Sequence, residues 1–90
     1  MSKIQTAYSD EQTGGSLLRV FDQSVDPTEL QWHRDEEART VVAISDTDWL
    51  IQLDDRLPQS LNHDVFIPKG EWHRVIKGTG SLKVKITKHS

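Results

Sequence analysis

Two short stretches hold most of the side chains able to do chemistry. The first reads Gln31-Trp32-His33-Arg34-Asp35-Glu36-Glu37-Ala38-Arg39, and the second reads Pro68-Lys69-Gly70-Glu71-Trp72-His73. Read as a strand, the first segment puts His33 and Asp35 on one face, because alternate residues of a strand point the same way. If His73 faces them from a neighbouring strand, the set is two imidazoles and one carboxylate. Non-haem Fe(II) oxygenases hold iron with such a set and keep open positions for water, oxygen or a chelating substrate; Zn, Mn and Ni also suit these ligands. The opposing reading keeps His33 as a lining residue hydrogen-bonded to Asp35, with His73 placed by its turn alone.

Arg39 pulls in two directions. A permanent cation next to such a site repels a divalent metal, and burying it without a partner is costly. It either pairs with Asp35 or Glu37 and leaves a metal-free polar pocket, or clamps a substrate carboxylate in bidentate fashion. Glu36 and Glu37 read as a solvated turn. His63 and His89 read as exposed.

The rest of the chain must position these groups. Its 90 residues make one domain, which buries roughly two-thirds of the surface the unfolded chain exposes. The segments Leu17–Phe21, Thr28–Arg34, Arg39–Ser45, Trp49–Leu53, Val65–Ile67 and Trp72–Lys77 read as short strands, several rich in β-branched and aromatic residues. Leu82, Val84 and Ile86 alternate with Lys83, Lys85 and Thr87, the period of a half-buried strand. Asp26-Pro27, Asp46-Thr47-Asp48, Asp54–Pro58 and Gly78-Thr79-Gly80 read as breaks between them. No segment sustains a period of 3.6, and no internal repeat is read. Residues 1–15 form an N-terminal arm or an edge strand pinned by Ile4 and Tyr8, and residues 16–90 one barrel. Gly78-x-Gly80 is a hairpin turn rather than a phosphate loop, since no helix follows it.

The motifs resemble those of the cupin superfamily, small double-stranded β-helix (jelly-roll) barrels. That family's second motif is a glycine, five residues, Pro-x-Gly, two residues and a histidine; Pro68, Gly70 and His73 match it, with Asn62 in place of the leading glycine. Asparagine tolerates the left-handed turn a glycine would make there. The first motif is His-x-His, three or four residues, Glu, six residues and Gly. Here His33, Asp35, Arg39 and Asp46 stand at those positions, so half of the family's ligands are replaced. A second alignment puts Gln31, His33 and Glu37 in the first motif. The resemblance covers residues 16–87 and implies an all-β jelly-roll barrel with Gln31, His33, Asp35, Arg39 and His73 lining a pocket. It implies a small-molecule-binding protein whose ligand is a small anion such as a carboxylate or a sugar acid. The alternative it implies is a metal-dependent dioxygenase, isomerase or decarboxylase with Fe, Mn, Zn or Ni on His33, Asp35 and His73. A structural or interaction scaffold is the third reading.

Composition narrows the partners. A formal net charge of -3 and a pI near 5.7 give no dominant attraction for phosphate, so nucleic acid is excluded as the main partner. Lys83, Lys85 and Lys88 read as a solvated strand face. There is no cysteine, which removes disulfides, thiolate metal sites and a thiol nucleophile. No stretch approaches a membrane span, and the expected location is cytoplasmic. With 34% hydrophobic residues the core is thin, and a homodimer is expected. Trp32 and Trp72 each precede a pocket histidine, so on a strand they point outward. They are the expected dimer face, the alternative being cover by the N-terminal arm. Trp49, with Ile51 and Leu53, is expected in the core.

Overall fold

The computed structural model describes residues 8–89, and its regular elements are antiparallel strands and one 3-10 turn. They are β1 (Ser9–Thr13), β2 (Ser16–Phe21), β3 (Ala38–Ala43), β4 (Leu50–Leu53), β5 (Gln59–Ser60), β6 (Val65–Ile67), β7 (His73–Ile76) and β8 (Leu82–His89). One sheet has the order β1-β2-β8-β3-β6 and the other β5-β4-β7. The all-β, jelly-roll class is the observed one. The expected barrel is not closed: hydrogen bonding does not run continuously from one sheet into the other.

The longest strand shows why the sheets face each other. In β8, Leu82, Val84 and Ile86 are buried while Lys83 and Lys85 are exposed. Leu17 and Phe21 of β2, Val41 of β3, and Val65 and Ile67 of β6 bury the same face, and Ile51 and Leu53 of β4 meet them from the other sheet. Burying each such side chain contributes about 1.5–3 kcal/mol. Trp49, fully buried, fills the end of this core and donates its ring N–H to the carbonyls of Thr79 and Gly80 at 3.2 Å each.

The expected strand over Thr28–Arg34 is not there. Asp26 accepts a hydrogen bond from the Thr28 amide at 3.0 Å, and Pro27 supplies the fixed φ of a first helical position, so Pro27–Glu29 forms a 3-10 turn. The remainder is extended but pairs with β7 through His33 alone. β5 forms in a stretch for which no strand was expected. Ser9–Thr13 is an edge strand paired with β2; Ile4, the other expected anchor, lies outside the described residues.

Candidate metal and anion site

His33 and His73 meet across the gap between the sheets. Their backbones exchange hydrogen bonds, His33 N–H to the His73 carbonyl at 2.9 Å and His73 N–H to the His33 carbonyl at 2.8 Å. Their rings lie edge to face with centroids 4.2 Å apart. The Pro-x-Gly turn supplies the third member. Gly70 has φ 76°, the left-handed region that favours glycine, and its amide donates to the Asp35 carbonyl at 2.9 Å. His33 and Asp35 therefore converge without the regular strand expected for them: the bridge to β7 holds one, and the turn before β7 holds the other.

Metal-ligating atoms of His33, Asp35 and His73 all lie within 4.8 Å of one another. Each imidazole is oriented by a backbone carbonyl: His33 Nδ1 to Gln31 O at 3.3 Å and His73 Nδ1 to Glu71 O at 2.8 Å. A carbonyl only accepts, so each Nδ1 carries a proton, and Nε2 is the ring atom left for another partner. His73 is buried, and that burial is the main cause holding its pKa below the usual histidine value. The hydrogen bond to Glu71 opposes the shift, as does Asp35, while the neighbouring His33 and Arg39 add to it. His73 Nε2 lies 3.3 Å from Asp35 Oδ2, which is buried and has no hydrogen-bond partner. The contact is an ion-pair distance without hydrogen-bond geometry.

Arg39 reaches this cluster from β3. One of its terminal nitrogens is 3.4 Å from Asp35 Oδ1 and 3.5 Å from Glu37 Oε1, and its Nε is buried without a partner. Glu37 belongs to this outer contact, with Lys88 at 3.9 Å, and not to the histidine cluster; the Gln31, His33, Glu37 arrangement is not formed. The Gln31 side chain is turned back onto the Thr28 carbonyl at 3.0 Å, so its contribution to the cluster is the carbonyl that orients His33. His63 and His89 are exposed and are not members of the cluster.

A cavity of about 90 Å³ adjoins these groups and is lined by Gln31, His33, Asp35, Arg39 and His73 on one side. Valine, isoleucine, leucine and phenylalanine side chains form most of the remainder, with Tyr8 and Arg19 at another edge. Arg19 was missed from sequence, although it occupies the middle of Leu17-x-Arg19-x-Phe21, a charge on the apolar face of a strand. It is held by Asp10 in a bidentate pair at 2.7 and 3.0 Å and packs on the Tyr8 ring at 3.8 Å. A second signal also went unread: the tripeptide Trp-His-Arg occurs twice, at 32–34 and 72–74. Paired antiparallel through the two histidines, it stacks Arg74 on Trp32 at 5.0 Å and Arg34 on Trp72 at 5.1 Å. Both tryptophans stay about two-fifths exposed (40% and 43%) and have an arginine, not an N-terminal segment, among their described neighbours.

Two facing antiparallel sheets with a histidine and carboxylate cluster between them make a cupin-like fold. No protein-family model matches the sequence, and no curated protein matches it. Solved structures do. Protein NMB1881 from Neisseria meningitidis is 14% identical with a TM-score of 0.59, over 99% of this chain and 89% of that one. A cupin domain from Bordetella pertussis Tohama I is 14% identical with a TM-score of 0.55, over 99% of this chain and 100% of that one. Apo-HppE is 16% identical with a TM-score of 0.56, over 91% of this chain and 48% of that one. At these identities the likeness is one of fold: the chain has the cupin-like fold.

Proposed function

We propose that this cupin-type protein binds a small molecule at a divalent metal held by His33, Asp35 and His73. The observation that carries the reading is the meeting of unsatisfied acceptors. Both Nδ1 atoms are committed to carbonyls, which leaves His73 Nε2 for an outside partner, and it lies 3.3 Å from the unpartnered, buried Asp35 Oδ2 without a hydrogen bond between them. Two acceptor atoms that close, with no proton shared between them, are stabilised by a positive charge that both can reach. Neighbouring ligands about 2.1 Å from one ion stand about 3 Å apart, which this spacing fits. The carbonyls behind each imidazole are the outer partners that fix metal-ligating histidines. When bound, the ion supplies a Lewis-acidic centre with open positions beside the cavity. The chain's own residues orient the ligands, exclude water with the apolar walls and offer Arg39 to an anionic ligand.

A second reading has its own support. The contact between Arg39 and Asp35 at 3.4 Å describes a pocket in which arginine replaces the metal and binds an anion alone. Metal analysis separates the two. After incubation with Zn, Mn, Fe(II) or Ni and exhaustive dialysis, the wild type should retain about one ion per chain. Asp35→Asn and His73→Ala should retain none, with circular dichroism unchanged in at least one of them. A wild type that stays metal-free, or folded variants that keep the ion, would exclude the metal and leave the anion pocket.

A further inference from the structure

Arg39 stands where it can make metal loading depend on a second ligand. Its side chain is close to nine-tenths buried, at 11% exposure, yet its donors are poorly used. The contacts to Asp35 and Glu37 are 3.4 and 3.5 Å, and Nε has no partner. A buried guanidinium carries five donors and favours two parallel bonds to one carboxylate. No other acceptor in the cluster offers that geometry, because Asp35 turns only Oδ1 toward it and Oδ2 faces His73.

Charge balance points the same way. Without an ion, Arg39 offsets Asp35, and Lys88 partly offsets Glu37. A divalent ion adds two positive charges beside a cation that is itself nearly buried, in a cluster where His73 is buried, Asp35 half-buried and His33 exposed. Asp35 is also the residue for which ion and arginine compete. An anion on Arg39 would relieve both problems: it draws the guanidinium from Asp35 and neutralises the added charge.

The cavity states what else that anion carries. Its volume is about 90 Å³, far below the several hundred of a typical drug-sized site. Its apolar lining includes Val41, Ile51, Ile67, Val75, Val84 and Ile86. The hydroxyls of a sugar acid would lose water there without gaining partners. The second cation lining the cavity, Arg19, already holds a carboxylate, in its bidentate pair with Asp10.

We infer that the pocket binds a short aliphatic carboxylate, its head on Arg39 and its tail against the apolar walls, and that this carboxylate and the metal each tighten the binding of the other. The inference rests on the metal reading above. Calorimetric titration of zinc with and without saturating butyrate, and of butyrate with and without zinc, measures it. The two factors must be equal, since coupling is reciprocal. At least tenfold tightening is expected in both directions, and butyramide, the neutral analogue, should give none. Arg39→Met should bind zinc alone more tightly than the wild type, because a repelling cation is gone, and lose the coupling. Arg39→Lys, which keeps the charge and loses the fork, should keep a fraction of it and guards against a misfolded methionine variant. Zinc binding with no coupling to butyrate, equal coupling to butyramide, or undiminished coupling in both folded variants overturns this inference and leaves the metal reading intact. Failure of zinc to bind under any condition removes the metal reading itself.

Discussion

Asp48 precedes β4 and accepts hydrogen bonds from the Thr79 amide at 2.7 Å and the Thr79 hydroxyl at 2.8 Å, tying the entry to β4 to the β7–β8 turn. Gly78 lies under the same carboxylate. A Cβ there would run into Asp48 Oδ1 and come within 2.7 Å of the Trp49 amide, so close approach is what requires glycine. The Thr79 hydrogen bonds, backbone first, lower the Asp48 pKa below its ordinary 3.8. The folded state therefore binds this proton less readily than the unfolded state. Its stabilisation is fully present above pH 3.8 and is lost as pH falls through the lower folded value. Asp48→Asn should unfold at lower urea than the wild type at pH 7, and the two midpoints should draw together as the pH falls below 3.8. A gap that stays constant however far the pH falls below 3.8 would show that the charge is not what matters. Asp46–Asp48 and Gly78–Gly80 were both legible as turns, but their pairing is made by the fold and leaves no local trace. Asn62 was misread in the same way. Its backbone is not left-handed; instead its side chain bonds the Thr47 amide and carbonyl at 3.0 Å each, closing the loop beneath β5. A side chain reaching fifteen residues away is not visible to an argument about turn propensity.

The bridge between the two Trp-His-Arg segments is the smallest element in the molecule and positions its most reactive groups. Histidines face inward toward Asp35, and the flanking residues pair crosswise on the outer side, each tryptophan under the other segment's arginine. Arg74 is further steadied by Gln52 Oε1 at 3.0 Å. Cation–π pairs at partly exposed sites contribute about 0.5–1 kcal/mol. A double-mutant cycle of Trp32→Leu with Arg74→Met should therefore return a coupling of about that size by urea denaturation. The same cycle between Trp32 and Arg34, neighbours that do not stack, should return about zero. Equal couplings would mean that the crosswise geometry does not form. Element legibility followed periodicity. β8 alternates through six residues and was read correctly, whereas the segment before Asp35 pairs at one residue and has no period to read. Its 3-10 turn was signalled by Asp26-Pro27, taken as a strand stop when it is also a cap and first turn.

The cluster's members come from separate parts of the molecule: His73 from the three-stranded sheet, Arg39 from the five-stranded sheet, and His33 and Asp35 from the connection leading into β3. The fold class was legible because many short alternating segments leave few all-β solutions. The open seam was not, because closure depends on hydrogen bonds between distant strands. That seam gives an ion a structural role as well as a chemical one. Among the described residues no strand-to-strand ladder joins the sheets, and the bridge at His33 lies beside the site. A ligand bound only by the folded state stabilises by about 2.7 kcal/mol at one hundred times its Kd. For a domain of this size each kcal/mol raises Tm by about 4–8 °C. Zinc at that excess should therefore raise Tm by roughly 10–20 °C, and a chelator should reverse it. Amide exchange should slow at His33 and His73, whose N–H groups bridge β7 to the connection leading into β3, more than in β2, which is paired on both sides within its own sheet. Asp35→Asn should abolish both effects. Zinc that raises Tm equally in the wild type and in Asp35→Asn binds elsewhere, and the seam would then be held by the core alone.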